Sequence, residues 1–420
     1  MKIVKNLAFI TIAALPLYVI RCKNFSWCVT PIPFTLAEIL IILTFFSWVS
    51  WISYSIKKKK ESVPGLFQRL KNPLILPIGL FLFSATISLF YTPDFAGGLG
   101  VWKAYFIEGF LLYLVILDLS VREKSYLWVV KALMVSGVLV AFVSFKEALS
   151  ITLKSDFHEA LNTRISSLYE FPNAVSLYLG PVISLSIAAL VSQYISSKNF
   201  RFFCLSIVSL ISMMTAILLS HSKGGVVGVY AIFSVWLGWF RIYARYLVVA
   251  LVFAYFLISI FVFLNVDNLI PKNKFPSGSI LNRYCIWQGT KNLLAEKPLT
   301  GSGLNGFNID YRHFRETTST HCLKESYYYP HNLLLTFWSE IGFFGVVAFI
   351  WISYLYLRLA SQLNDKAFSL GLIGALVYIY IHGLVDVPFF KNDLSILFWI
   401  LLAVVSVGYK LNQKMKKMRF

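Results

Sequence analysis

Charge is scarce in this chain, and acid is scarcer than base. Only 14% of its 420 residues are charged, against roughly 25% in an average soluble domain. Acidic residues number 19 and Lys plus Arg 38, giving a formal net charge of +19. Cysteine is sparse too. Cys22, Cys28, Cys204, Cys285 and Cys322 show no CxxC or related spacing, which removes the usual zinc frameworks. The outer loop identified below holds no H-E-x-x-H, no G-x-S-x-G and no DxD-type cluster, so metal hydrolysis and serine acylation lack support. The glycines at 301, 303 and 306 are followed by no GK[ST] and preceded by no buried strand. That excludes a Walker loop and a dinucleotide fingerprint.

Apolar residues fill the space. They make up 58% of the chain, with 37 Phe, 23 Tyr and 11 Trp, and mean hydropathy is +0.71. The runs approach or exceed the roughly 17–25 residues of a spanning helix, whereas a barrel would show short alternating segments. The expected fold is all-α: a polytopic membrane protein with about 12 transmembrane helices and one large outward loop. The spans fall near 7–20, 32–56, 73–90, 104–119, 126–145, 172–192, 202–219, 225–239, 246–264, 333–357, 367–385 and 394–409. Pro16 and Pro181 lie inside two of them and are expected to kink them. The first run follows Lys2 and Lys5 like a signal peptide. No small-x-small cleavage site is clear before Arg21, so a retained first helix is expected.

In a soluble protein the basic excess would point to nucleic acid. Here membrane topology explains much of it, and no nucleic-acid partner is expected. Lys57–Lys60, Arg69 and Lys71 follow the second span, Arg122 and Lys124 the fourth, Lys198 and Arg201 the sixth. Arg241 and Arg245 follow the eighth, Arg358 and Lys366 the tenth, and Lys410 to Arg419 the twelfth. All of these share one side if the count is twelve, and the positive-inside rule then makes both termini cytoplasmic. The chain divides into helices 1–9 (residues 1–264), the polar loop (265–332) and helices 10–12 (333–420).

The outer face collects the distinctive chemistry. Pro330-His331-Asn332 closes the long loop at the mouth of a span, where Asn332 could cap the next helix. His331 there either contacts substrate and passes a proton or anchors the interface beside Tyr327–Tyr329. Arg283 and Trp287, at i and i+4, share a face of a short amphipathic helix expected at the outer surface. Arg283 suits a diphosphate through its rigid fork, or pairs with lipid headgroups. The glycine stretch is either an anion cradle or a loop-shaping turn. Lys223, in Ser222-Lys223-Gly224-Gly225, either neutralises a phosphate or snorkels. Arg164 and Asn173 are weaker candidates of the same kind. Asp386 steers a cation or a histidine proton, or caps a helix. His382 and Glu340 face the bundle interior or an interface. Cys285 and Cys322 share the loop and could pair in an oxidising compartment, but free cysteines are the expectation.

This arrangement resembles the O-antigen ligase and O-antigen polymerase superfamily of bacterial envelope glycosyltransferases. The resemblance is carried by Arg283 with Trp287, the stretch Pro298–Phe307, Pro330-His331-Asn332, Glu340-Ile341-Gly342 with Gly345, and Phe171-Pro172-Asn173 upstream. It implies a multi-pass protein of the bacterial inner membrane with a periplasmic loop. It implies metal-independent, inverting transfer of a glycan from undecaprenyl diphosphate, with no cofactor. The implied partners are that lipid-linked donor, membrane lipids, and either a lipid A–core acceptor (a ligase) or a growing glycan (a polymerase of O-antigen, capsule or exopolysaccharide). The ligase is the leading expectation. A transporter is the non-enzyme alternative, but the internal repeats with broken helices that it predicts are not found. Carried over, His331 and Arg283 are catalytic, and Lys223, Arg283 and Arg164 hold the diphosphate. Trp287, Asn332, Glu340 and Asp386 support them. The family's Ser-Arg element appears here as Ser222-Lys223, which keeps charge but loses the fork.

Overall fold

A computed structural model describes residues 1–20, 34–154, 163–196, 199–239, 279–316 and 327–417. Every regular element among them is helical. They are α1 (Lys2–Ala13), α2 (Leu36–Lys57), α3 (Val63–Leu70), α4 (Ile75–Ser88), α5 (Phe95–Glu123), α6 (Leu127–Thr152) and α7 (Pro172–Ser196). They continue with α8 (Phe200–Leu219), α9 (Lys223–Trp239), α10 (Ser279–Glu296), α11 (Phe307–Glu316), α12 (Leu333–Ser361), α13 (Lys366–Gly383) and α14 (Asn392–Lys417).

Among the described residues, eight helices are long and apolar enough to cross a membrane, or nine if α3 and α4, bent by 85°, count as one span. The protein is therefore an all-α, polytopic membrane protein. Ten of the expected spans coincide with α2, α4–α9 and α12–α14. The ninth, 246–264, lies outside the described residues, as do Lys198, Arg241, Arg245 and Cys322. The expected first span stops early: α1 ends at Ala13, and a 3-10 turn carries Leu15–Val19 past Pro16. Pro181 does not end α7. The expected span 333–357 is interrupted instead at Gly342, whose φ of +72° no L side chain adopts cheaply.

The bundle interior is built from α7, α13 and α14, whose apolar faces are mostly buried. α7 and α13 run antiparallel: Tyr378 reaches the Ser176 carbonyl at 2.6 Å, Ser184 the Gly371 carbonyl at 2.7 Å, and Ser192 reaches Asp365 at 2.7 Å. α14 lies parallel to α5, with Trp399 donating to the Tyr105 carbonyl at 2.9 Å and Tyr113 beside Ser406 at 3.3 Å. The two ends of the bundle therefore carry different sets of residues.

One end holds a buried charge network. Asp118 is fully buried, and its carboxylate takes bonds from Arg69 Nε at 2.6 Å, Arg122 Nε at 2.9 Å and Trp48 Nε1 at 3.0 Å. Glu61 pairs with the same two arginines at 2.9 and 2.5 Å. Burial opposes its ionisation, yet Arg122 and Arg69 hold its carboxyl below the usual range. The network ties α2, α3 and α5 together. Asp118→Ala removes one of the two carboxylates that answer Arg69 and Arg122, leaving Glu61 alone with both, and should cost about 1.5–3 kcal/mol, the worth of hydrogen bonds to charged groups, measured as a lower melting temperature of the purified protein in detergent.

Candidate functional site

At the opposite end, the starts of α7, α9, α12 and α14 meet the end of α13. Asn332 caps α12: its Oδ1 accepts the Leu335 N–H at 3.1 Å, while its Nδ2 donates to the Leu384 carbonyl at 3.2 Å. The cap ties the chain entering α12 to the chain leaving α13. His331, just before it, has φ +50°, a left-handed conformation uncommon outside glycine. Its Nδ1 lies 3.3 Å from Asp386 Oδ1, and its side chain is 40% exposed.

Asp386 is the hub. Its Oδ1 also accepts the Val387 N–H at 2.9 Å, and its Oδ2 accepts Asn173 Nδ2 at 3.0 Å. Asn173 Oδ1 in turn accepts Arg164 Nη2 at 2.7 Å, and Arg164 Nε donates to the Ser220 carbonyl at 3.2 Å. One hydrogen-bonded chain thus joins four segments far apart in sequence. Burial works against a charge on Asp386, but its hydrogen bond with His331 outweighs it. The carboxyl is held well below the ordinary range and is ionised at neutral pH. A carboxylate at Nδ1 orients the imidazole and leaves Nε2 for other chemistry.

α10 grips this hub from above. Arg283 donates Nε and Nη2 to the Val385 carbonyl at 3.0 and 2.9 Å, and Trp287 Nε1 donates to the Pro330 carbonyl at 3.0 Å. Arg283 and Trp287 share a helix face, and through it they hold the residues immediately preceding Asp386 and His331. Ile286, Leu293 and Leu294 are buried in one cluster with Phe307, Tyr311, Phe314 and Leu335, so the apolar side of α10 faces protein. The expectation of free cysteines is corrected at Cys285, which is disulfide-bonded. Its partner lies outside the described residues, and Cys204 is free.

Lys223 opens α9 and is exposed. Ser222 Oγ accepts the Gly225 N–H at 3.3 Å, satisfying one amide at the helix start. The α9 start rests on α13: a Cβ at Gly224 would stand 2.7 Å from His382 Cδ2. His382 is one turn before Asp386. Lys223 therefore belongs to this end of the bundle, although no hydrogen bond or ion pair joins it to His331 or Asp386 among the described residues. No group of three or more His, Cys, Asp or Glu arranged to hold a metal occurs among them either.

The O-antigen ligase family model matches residues 205–350, a stretch from α8 to the middle of α12 that includes Lys223, Arg283 and His331. Over that stretch the chain is similar to the O-antigen ligase family. It is 27% identical over 128 residues to a "Putative polysaccharide ligase" of Rickettsia bellii, covering 29% of this chain and 31% of that one. It is also 27% identical over 124 residues to a like-named protein of Rickettsia conorii, covering 29% and 30%. The chain thus matches less than a third of the length of these relatives. Arg164, Asn173 and Asp386 lie outside the family match.

Within the matched O-antigen ligase region, the glycine stretch is a structural plug. Ser302 N–H donates to the Ser339 carbonyl at 2.7 Å, Gly301 N–H to the Lys297 carbonyl at 3.0 Å, and Asn305 N–H to Glu340 at 2.6 Å. Glu340 is buried beneath this loop, and its observed contacts are with the loop backbone. Those amides are committed to the protein, so of the two readings of this stretch the turn accounts for the geometry. Thr92 reaches the Leu304 carbonyl at 2.7 Å and Asp94 takes Asn305 Nδ2 at 2.8 Å, anchors that no local motif announces. Gly303 has φ +81°, and a Cβ there would stand 2.6 Å from the Ser88 carbonyl oxygen. Gly303→Ala should therefore destabilise the protein by more than about 1 kcal/mol. Transfer activity and detergent melting temperature should fall together. Activity lost at wild-type melting temperature would revive the anion cradle.

Proposed function

We propose that this protein is a glycosyltransferase of the bacterial inner membrane, an O-antigen ligase that moves a glycan from undecaprenyl diphosphate to a lipid A–core acceptor. The observation that carries the reading is the hydrogen-bonded chain Arg164–Asn173–Asp386–His331, assembled at one end of a membrane bundle in a chain similar over residues 205–350 to the O-antigen ligase family. The termini are cytoplasmic and the α10–α11 loop periplasmic in this reading. The basic connections gathered with Arg69 and Arg122 support that orientation, and the disulfide at Cys285 suits an oxidising compartment.

The chemistry follows from the charges. An acceptor hydroxyl gives its proton to His331 Nε2, whose other nitrogen is steadied by Asp386. The acceptor oxygen forms its bond to the anomeric carbon on the face opposite the diphosphate, which inverts that centre. The carbon–oxygen bond to the diphosphate breaks, and the diphosphate departs with the electron pair. Lys223, Arg283 and Arg164 supply positive charge where that negative charge grows. Diphosphate is already a good leaving group, so no general acid and no metal are required.

His331→Ala should lower transfer by about 10²–10⁴-fold, the usual worth of a general base, at normal membrane levels. Asp386→Asn keeps the shape but not the charge and should fall in the same direction. Full activity in His331→Ala would sink the assigned role. Lipopolysaccharide from a deletion strain decides the acceptor. Full-length undecaprenyl-linked chains should accumulate while the core stays bare, whereas a core bearing a single repeat would make the protein a polymerase. Transfer by the purified protein should survive a chelator, and loss restored by a divalent cation would contradict the metal-free step.

A further inference from the structure

His382 is a titratable side chain that the proposed chemistry does not use. It lies in α13, four residues before Asp386, and is 1% exposed. Its Nδ1 is 3.1 Å from Tyr378 OH. The tyrosine proton is already given to the Ser176 carbonyl on α7 at 2.6 Å, so the tyrosine oxygen accepts from His382, and Nδ1 carries the hydrogen. The far edge of the ring meets the start of α9. A Cβ at Gly224 would stand 2.8 Å from Nε2 and 2.7 Å from Cδ2.

Tyr378 is held in the same way, one turn deeper. A Cβ at Gly228 of α9 would stand 2.5 Å from its ring, and one at Gly180 of α7 2.0 Å from it. Gly225 completes the seam, closing on Ser176 with a notional Cβ 2.5 Å from the Ser176 Cβ. Tyr378 is therefore wedged between α7 and α9 where neither neighbour has a Cβ, and His382 closes on α9 where Gly224 has none. Contacts this close define the height of one helix against another, because packed interiors do not deform continuously. The three helices involved deliver Asn173 (α7), Lys223 (α9) and Asp386 (just after α13) to the site.

We propose that His382 is a positioning residue: with Tyr378 it sets the height of α9, and so the place of Lys223 relative to the His331–Asp386 pair. The inference rests on reading Lys223 as a contact to the donor diphosphate. Its action runs through Lys223, and that gives a signature which general loosening of the bundle lacks.

The test measures binding of undecaprenyl diphosphate to the purified protein in nanodiscs. Lys223→Ala should weaken binding by about tenfold, roughly 1.4 kcal/mol. His382→Phe keeps a ring but not the Nδ1 donor and should weaken binding similarly, at a melting temperature close to wild type. His382→Asn restores a donor near the Nδ1 position and should recover most of the loss. The double variant Lys223→Ala/His382→Phe should bind no worse than Lys223→Ala alone, as coupled residues do. Additive losses, or wild-type binding by His382→Phe alongside a defective Lys223→Ala, would overturn the positioning role. Wild-type binding by Lys223→Ala would instead remove the donor contact itself, and the inference with it. If His382→Phe does not fold, Gly224→Ala presses on the same ring from α9. The same coupled loss supports the proposal there, and unchanged binding overturns it.

Discussion

Asp386 carries a negative charge in a place with little water. A buried carboxylate is costly unless its oxygens are satisfied by donors and its charge is answered. The molecule meets that demand with Asn173 from α7, the Val387 amide and His331 from the loop before α12. Each donor arrives from a different stretch of chain, so satisfying one charge brings the separate ends of the helices to one place. The same charge sets the direction of His331: an imidazole with Nδ1 turned to a carboxylate has Nε2 left for an acceptor.

α10 then acts as a clasp. Its two functional-looking side chains, Arg283 and Trp287, both bind backbone carbonyls of the loops that carry the pair. The glycine plug does the equivalent work lower down, holding the kink at Gly342 against the turn after α4. Both are devices for fixing irregular chain next to a membrane, where every unpaired backbone group is expensive.

Much of the architecture was legible because membrane physics writes it in long apolar runs. α2, α4–α9 and α12–α14 follow from them directly. The break at Gly342 was not, since a single glycine in an apolar run reads as a packing choice, and only the Leu299 carbonyl bonded to Phe343 reveals a turn. His331, Asn332 and Arg283 stood out by residue type at a helix mouth. Asn173 did not rank with them, because its importance lies wholly in reaching Asp386 across 213 positions of sequence. Arg283 was read as a ligand for an anion, and two of its donors serve a carbonyl instead. Residue type reports what a group can bind, whereas the fold decides which partner it meets. A bonded Cys285 was the less favoured of two readings for a related reason: spacing carries no information about a bond that the fold closes.

In the proposed reaction, the basic groups answer the charge on the leaving diphosphate. A mobile lysine or arginine would have to reorganise as charge builds on a leaving diphosphate, and reorganisation costs free energy at the moment of reaction. Arg164 is held by Ser220 and Asn173, and Arg283 by Val385. Their charges are in place beforehand. Lys223 has no such partner among the described residues and no rigid fork, so its position depends on the helix that bears it. A lysine at this place therefore shifts the burden of pre-organisation from the side chain to α9. The seam of Gly224, Gly225 and Gly228 against His382, Ser176 and Tyr378 is the part of the fold suited to bear it.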